Sequence, residues 1–305
     1  MHYVKNARAH ANKATISFRL RELFERRLFA RRARAKQAVV FVTHVKNEAV
    51  RRHFLRLRSE LKGLLDVFTC VFEPDQANNG DFPVDFEIGV KEAAHLLPTR
   101  VDQYRLRGAN ILPGYTDLTY LPALFRAELA ACEFIWVMEY DVDYAGHWKN
   151  FFKRAMQSSA DLIGTTIFPR EQNRNWYHWP WFSSPPNVPT EDHLRSFLPI
   201  VRFSRRMIET YVEAVKDPRW TGHTEALYPT IAHHHGLVIE DLGGTGPFCP
   251  PAQRLKNYLN TPCGDLAPGT FVYRPVTQAT YYQDAPQEFS LRDYLYHPIK
   301  ANSAR

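Results

Sequence analysis

The sequence lacks long hydrophobic runs. None of its 305 residues lies in a stretch that approaches about 18 consecutive apolar residues, so we expect no membrane-spanning helix. The first residues contain no apolar segment of the kind that a cleavable signal peptide requires, and none is predicted.

Cysteine is also scarce. The four cysteines (Cys70, Cys132, Cys249 and Cys263) are far apart, and no two of them form a C-x-x-C pair. This spacing argues against a disulfide framework and against a zinc site. We expect reduced thiols, in agreement with a cytoplasmic location.

Several familiar enzyme signatures are missing as well. The chain contains no P-loop, no G-x-G-x-x-G and no G-x-S-x-G. Interpretations as a kinase, a Rossmann dehydrogenase or an α/β-hydrolase therefore have no motif to support them.

Positive charge is concentrated at the start of the chain. Residues 1–36 contain 11 Lys/Arg and 2 Asp/Glu, a balance of +9, which leaves −2 for residues 37–305 out of the total of +7. A nucleic-acid-binding domain would carry its basic surface on the fold itself, so we expect no nucleic-acid partner. The shift in composition divides the chain into a basic leader and one large body.

The leader has the pattern of a basic amphipathic helix. Its apolar residues recur at helical spacing among arginines (Ile16, Leu20, Leu23, Phe24 and Leu28). Such a helix can lie on an anionic membrane surface, dock on the body or on a partner, or stay solvated. The first alternative would make the protein peripheral to the inner face of a membrane.

The body alternates strand and helix patterns. Apolar runs predict strands at 38–42, 67–72, 134–138, 161–168, 198–203, 237–239 and 270–276. Helical spacing predicts helices at 46–61, 120–132 and 148–156, a helix that ends near 215, and one from about 222 to 235. This alternation predicts an α/β fold with a mostly parallel sheet flanked by helices, whose ligands bind at the carboxyl ends of the strands.

Residues 169–190 break that pattern. They contain five prolines and five aromatic residues, which predicts a long loop with a function. Trp176, Trp179 and Trp181 are candidate acceptor contacts, because exposed rings could stack on sugar faces. The alternative is that these rings fill a small satellite core.

The most informative stretch is a predicted strand that ends in three carboxylates. Five apolar residues at 134–138 run directly into Glu139, Asp141 and Asp143. An unbroken apolar run predicts a strand buried on both faces, and side chains two residues apart in a strand point the same way. Three like charges that project together are unfavourable unless a cation lies among them. The sequence therefore predicts a Mg²⁺ or Mn²⁺ site for a diphosphate; the alternative is a strand that exits into a polar loop.

The segment at 137–144 resembles the metal-binding motif of the GT-A glycosyltransferases, which are nucleotide-sugar-dependent enzymes with a single α/β domain. Asp141 and Asp143 match the usual D-x-D form, and Glu139 and Asp141 match an E-x-D variant. The resemblance implies a GT-A-like domain over residues 37–305 with a Mn²⁺ or Mg²⁺ ion at the diphosphate of a nucleotide-sugar donor. It also implies transfer of the sugar to a glycan or lipid-linked acceptor.

A second resemblance lies near the end of the chain. Several retaining enzymes of this group close their site with a late histidine, which completes the metal shell, and a nearby lysine, which contacts the diphosphate. His297 and Lys300 resemble that pair, although their spacing is shorter and the intervening glycine is absent. A neutral imidazole suits Mn²⁺, and an ammonium group offsets phosphate charge. The alternative is that His297 is an ordinary surface residue.

Inverting enzymes instead need a carboxylate base that takes the proton of the acceptor hydroxyl. In many GT-A enzymes this base lies near the start of a helix after the acceptor loops, which is the position predicted for Glu225. Acidic residues are also favoured in a first helical turn for dipole reasons alone, so capping is the alternative. Asp241 is a weaker candidate base. Glu225 favours inversion, whereas His297 with Lys300 favours retention.

The nucleotide is predicted to contact the exit of the first strand, at Thr43 and His44. Arg126, on the predicted helix before the acidic strand, could reach a phosphate with its guanidinium group. Two other functions stay open. One is a sugar nucleotidyltransferase, although no glycine-rich basic loop follows the first strand. The other is a non-catalytic glycan-binding or scaffold domain in which the acidic cluster is merely exposed.

Overall fold

The computed structural model describes residues 35–72, 81–107, 115–260, 269–273 and 289–299. These residues form a seven-stranded sheet and a separate two-stranded sheet. The larger sheet contains β1 (Gln37–Thr43), β2 (Asp66–Phe72), β3 (Phe86–Ile88), β4 (Phe134–Glu139), β6 (Leu162–Pro169), β7 (Leu194–Ser204) and β8 (Ile239–Asp241). The smaller sheet pairs β5 (Asp143–Tyr144) with β9 (Leu295–Tyr296).

The larger sheet is mostly parallel. Its strand order is β3-β2-β1-β4-β7-β6-β8, and neighbouring strands are parallel except where β7 pairs with β4 and with β6. The carboxyl ends of the six parallel strands, together with the beginning of β7, therefore lie along one side of the sheet, which we call the carboxyl edge. Ligands of open α/β sheets bind at this edge.

Helices cover both faces of the sheet. They are α1 (Glu48–Leu61), α2 (Val90–Leu96), α3 (Pro98–Arg107), α4 (Asp117–Tyr120), α5 (Trp148–Ala155), α6 (Arg205–Ala214) and α7 (Thr224–His234). Val39 and Phe41 of β1 belong to the same buried cluster as α1 and α5, whereas Ala38 and Val40 belong to the cluster of α6 and α7. Burial on both faces explains the unbroken apolar runs of the strands. The predicted α/β fold, with a mostly parallel sheet flanked by helices, is confirmed.

The α-helix predicted over residues 120–132 is wrong. The short helix α4 is followed by two 3₁₀ segments, Leu121–Phe125 and Ala127–Leu129. Pro122 has no backbone N–H to donate, and Arg126 has an extended backbone with ψ of 151° that separates the two segments. The predicted helices at 46–61 and 148–156 correspond to α1 and α5, whereas α2, α3 and β3 were not predicted.

Some predictions fall on residues outside the described ranges. The amphipathic helix of the leader is one of them, since residues 1–34 are not described, and the role of Lys300 is another. In the part of the chain that is described, no helix has both the length and the apolar character needed to cross a membrane. Cys70, Cys132 and Cys249 are buried free thiols.

Candidate active site

The end of β4 brings two of the three predicted carboxylates together with the late histidine. Nε2 of His297 lies 3.5 Å from Oδ1 of Asp141 and 4.0 Å from Oε2 of Glu139. One potential ligand atom from each residue lies within 4.8 Å of the other two. We call these three residues the carboxylate–histidine group. It is the one set of three among the described residues that could hold a metal ion.

His297 reaches this group because the last described segment folds across the carboxyl edge. β9, which immediately precedes it, pairs with β5, whose first residue is Asp143, the last carboxylate of the acidic motif formed by Glu139, Asp141 and Asp143. The N–H of His297 donates to the carbonyl of Thr270 at 2.9 Å, and its own carbonyl accepts from the N–H of Val272 at 3.1 Å. The N–H of Ile299 donates to the carbonyl of Asp141 at 2.8 Å. These backbone bonds fix the distance between the histidine and the acidic motif.

The ring of His297 is oriented with one nitrogen toward the carboxylates. Its Nδ1 lies 2.8 Å from the carbonyl oxygen of Val272. Because a carbonyl only accepts, Nδ1 carries the proton in the neutral ring, and the lone pair is on Nε2. Burial opposes a charged ring, but Asp141, Glu139 and the Val272 carbonyl outweigh it and raise the pKa of His297. Two carboxylates and an imidazole lone pair at this spacing fit Mn²⁺ or Mg²⁺.

Asp143 has a different environment. Its side chain is fully buried and forms an ion pair with Arg56 of α1, and its Oδ1 also accepts from the N–H of Tyr144 at 2.6 Å. It is not part of the carboxylate–histidine group. Of the two possible registers, the structure therefore brings Glu139 and Asp141 to His297 and ties Asp143 to a helix.

The exit of β1 lies beside the acidic motif. The N–H of Tyr140 donates to the carbonyl of Val42 at 3.0 Å, and the exposed ring of His44 contacts the ring of Tyr140 edge-on at 5.0 Å between centroids. Thr43 is buried, and its hydroxyl donates to the carbonyl of Val45 at 2.7 Å and accepts from the N–H of Val45 at 2.9 Å. Thr43 thus shapes the turn that places His44 near the candidate metal site.

The predicted contact between Arg126 and a phosphate has less support than the carboxylate–histidine group. Its Nη2 lies 2.9 Å from Oε1 of Glu92 in α2, so a phosphate would compete with that carboxylate. The same guanidinium is partly exposed, with 43% of the side chain accessible.

Glu225 lies in the first turn of α7, at the start of β7. Its Oε1 accepts from the N–H of Leu198 at 3.4 Å, and its carbonyl accepts from Oγ of Ser196 at 2.8 Å. His223 caps the helix, with Nδ1 accepting from the N–H of Glu225 at 3.2 Å. The carboxylate thus lies in the first turn of a helix, where the capping alternative would place it. It also lies at the carboxyl edge, where ligands of such sheets bind.

Asp241, the weaker candidate base, is saturated with hydrogen bonds. Its Oδ1 accepts from the N–H groups of Gly243 at 3.0 Å and Gly244 at 2.7 Å and from the hydroxyl of Tyr258 at 2.8 Å. Its Oδ2 accepts from the N–H of Ile167 at 2.9 Å. Burial raises the pKa of this fully buried carboxyl despite the four donors. Such an environment organises the loop after β8 and leaves little room for an acceptor hydroxyl.

Some tryptophans of the aromatic loop at 169–190 are buried, and one is exposed. Trp176 and Trp179 are each only 4% exposed, and Nε1 of Trp179 donates to the carbonyl of Asn173 at 2.7 Å. Both rings belong to the large buried cluster of α6 and α7 and not to a separate satellite core, and their burial leaves no open face for a sugar. Trp181 is 46% exposed, so sugar stacking stays a prediction for that ring.

Four further aromatic residues near the loop were not among the predicted site residues. Tyr177 is 51% exposed and Tyr273 is 40% exposed, and their ring centroids are 6.3 Å apart. His178 lies against Tyr177 at 3.9 Å and stacks on His223 at 4.0 Å. The aromatic run at 176–182 could have suggested Tyr177, but Tyr273 comes from a distant segment that no local pattern connects to the loop.

The two stacked histidines are neutral. Burial and the positive charge of Arg195 lower the pKa of His178 to about 4. Burial, His178, Arg100 and Arg195 lower the pKa of His223 far below its ordinary range. The two imidazoles next to Glu225 are therefore uncharged near neutral pH.

Comparisons with known proteins give structural likenesses. No protein-family model matches the sequence, and no curated protein matches it. Among solved structures, the chain is similar to the mannosyltransferase Ktr4p from S. cerevisiae, which was solved in complex with GDP. That likeness has 12% sequence identity and a TM-score of 0.37, and it covers 72% of this chain and 74% of the yeast chain.

Proposed function

We propose that this chain is a metal-dependent glycosyltransferase that moves a sugar from a nucleotide diphosphate donor to a glycan or lipid-linked acceptor. The observation that carries the proposal is the convergence of Glu139, Asp141 and His297 at the carboxyl edge of the sheet. Two carboxylates and a histidine whose lone pair faces them are a donor set for Mn²⁺ or Mg²⁺. When bound, such an ion supplies positive charge that stabilises a departing diphosphate.

The residues around this group have separate roles in the proposal. Asp141, Glu139 and Nε2 of His297 bind the ion, and the Val272 carbonyl orients the histidine. His44, beside the acidic motif, contacts the nucleotide, and Lys300, which lies outside the described residues, stays the predicted partner of the diphosphate.

Glu225 is the candidate base for the acceptor hydroxyl, and its Oε1 lies 3.4 Å from the backbone nitrogen of Leu198 in the first half of β7. A base at this position predicts inversion, whereas the His297 and Lys300 pair predicts retention. The anomeric configuration of the product, measured by NMR, decides between them.

Calorimetry tests the proposal directly. UDP and GDP are titrated into the full chain with and without Mn²⁺, and we expect binding heat that requires the metal. His297→Ala should weaken metal-dependent binding by roughly 10- to 100-fold, as loss of a metal ligand or its support does. His95→Ala, an exposed histidine in the last turn of α2, is the matched control.

Two results would contradict the proposal. A scaffold domain gives no metal-dependent nucleotide heat. A sugar nucleotidyltransferase releases pyrophosphate from a nucleoside triphosphate and a sugar 1-phosphate, and it would not hydrolyse or transfer from any nucleotide sugar in a screen.

A further inference from the structure

Exposed aromatic side chains converge beside the candidate active site. Four Phe, Tyr or Trp side chains are prominently exposed in the described part of the chain, and three of them, Tyr177, Trp181 and Tyr273, belong to one region. Phe125 is the fourth. Ring contacts connect the three, from Tyr273 to Tyr177 at 6.3 Å, on to His178 at 3.9 Å and then to Trp181 at 6.2 Å. We call these three residues the aromatic surface.

The aromatic surface extends between the two parts of the candidate site. Tyr273 directly follows Val272, whose carbonyl orients His297. At the other end, His178 stacks on His223, which caps the helix that carries Glu225. A ligand lying on the surface would thus have the carboxylate–histidine group at one end and the candidate base at the other.

The loop under the aromatic surface is held in place. Ser183 and Thr221 exchange backbone hydrogen bonds of 3.0 and 3.1 Å. Gly222 has φ of 118°, and a Cβ at that position would meet the Cα of Phe182 at 2.8 Å and the carbonyl oxygen of Trp181 at 2.9 Å. This close approach requires glycine, so the backbone at Trp181 packs directly on the start of α7. A surface held in this way can bind without first being ordered.

We propose that Tyr177, Trp181 and Tyr273 form a stacking surface for an uncharged oligosaccharide, which is the acceptor if the proposed transferase function holds. Aromatic rings offer flat apolar area with little loss of side-chain freedom, and their hydroxyl and indole groups can bond to a polar ligand. Pyranose rings have apolar faces and polar edges that suit such a surface. His178 and His223 beside it are neutral imidazoles, so neither contributes a positive charge that would select an acidic sugar.

Ligand-observed NMR titration tests this inference. The full chain is titrated with maltotetraose, cellotetraose and mannotetraose, and separately with tetragalacturonate and a short polyprenyl phosphate. At least one uncharged oligosaccharide should bind. Its affinity should fall roughly three- to tenfold for each of Tyr177→Ala, Trp181→Ala and Tyr273→Ala, as expected for the loss of one stacked ring. Tyr177→Phe should retain the affinity, because it keeps the ring, and Phe125→Ala is the control for an exposed ring elsewhere.

The outcomes separate this inference from the proposed function. Mn²⁺-dependent nucleotide binding without binding of any of the three uncharged sugars would overturn the aromatic surface alone. Sugar binding that depends on these rings, without nucleotide binding, would support the surface and overturn the transferase. Preferential binding of tetragalacturonate or the polyprenyl phosphate, or an equal loss in Phe125→Ala, would also refute the surface.

Discussion

Two parallel strands of the sheet end with aspartates in opposite environments. Asp141 follows β4 and faces the imidazole of His297, with Glu139 nearby. Asp241 ends β8 at the same carboxyl edge and accepts four hydrogen bonds from backbone N–H groups and a tyrosine hydroxyl. A carboxylate surrounded by donors stabilises a loop, whereas one that shares its space with another carboxylate and a histidine is arranged for a cation.

The largest effect should come from the donor-rich aspartate. We expect Asp241→Ala to lower the free energy of unfolding by about 4 kcal/mol, because removal of the acceptor leaves several buried donors unsatisfied. Asp241→Asn should lose less, since one acceptor oxygen remains. Urea denaturation followed by circular dichroism measures both losses. An unchanged denaturation midpoint for Asp241→Ala would show that Asp241 does not stabilise the fold.

Asp141, which faces His297, should behave in the opposite way. Asp141→Ala should reduce Mn²⁺-dependent UDP or GDP affinity by more than about 100-fold, because it removes a ligand from the proposed site. The free energy of unfolding should change by less than about 1 kcal/mol, since two like charges no longer oppose each other. Calorimetry and urea denaturation on the same preparation give both values. A loss in the free energy of unfolding as large as that of Asp241→Ala would show that the two aspartates do not differ in their structural roles.

A variant of Asp143 tests whether this residue of the acidic motif differs in role from Asp141. If Asp143 acts through its ion pair with Arg56, Asp143→Asn should weaken Mn²⁺-dependent nucleotide binding by roughly tenfold, as loss of an outer partner does. Arg56→Met should weaken it similarly, and the double variant should be no worse than either single one. Additive losses would instead indicate that Asp143 binds the metal directly.

The smallest effect concerns Asp161, at the opposite edge of the sheet before β6. Burial opposes its ionisation, but bonds from Arg206, the Val238 N–H and Ser204 outweigh it and lower the pKa. A lowered pKa in the folded state contributes stability that is complete above the unfolded value and is lost as the pH falls through the folded value.

The stability difference between wild type and Asp161→Asn should therefore be constant above about pH 5 and shrink below about pH 4. Its size should be no more than about 1 kcal/mol, because Arg206 is largely exposed. Thermal or urea unfolding at several pH values measures it. A difference that grows on acidification would reverse the assigned sign.

Local pattern was sufficient for most of the sheet. The apolar runs at 38–42 and 134–138 correspond to β1 and β4, because burial on both faces leaves no polar position in such strands. The sequence could also place the three carboxylates Glu139, Asp141 and Asp143 at the exit of β4, although only Glu139 belongs to that strand and Asp143 begins β5. The sequence could not show which carboxylates would face His297 and which would pair with Arg56, because both of these partners are distant in the chain.

Other misses have similar physical causes. The pattern at 120–132 had helical periodicity, but Pro122 and the extended Arg126 turn it into 3₁₀ segments. The sequence of the proline-rich loop could not predict which tryptophans would be buried, because their burial depends on packing against α7 and the start of β7. The direction of β7 was likewise not predicted, since a strand pattern is the same in either direction.

The late position of His297 has a consequence for biosynthesis. It follows Asp141 by 156 residues in the chain, and all seven strands of the larger sheet precede it. A nascent chain can therefore form much of its sheet while the site still has only its two carboxylates. Domains begin to fold during synthesis, so we expect a stage at which the chain is folded but cannot complete the metal site. If the proposed function holds, chain order would delay metal-dependent nucleotide binding until the segment with His297 has been added.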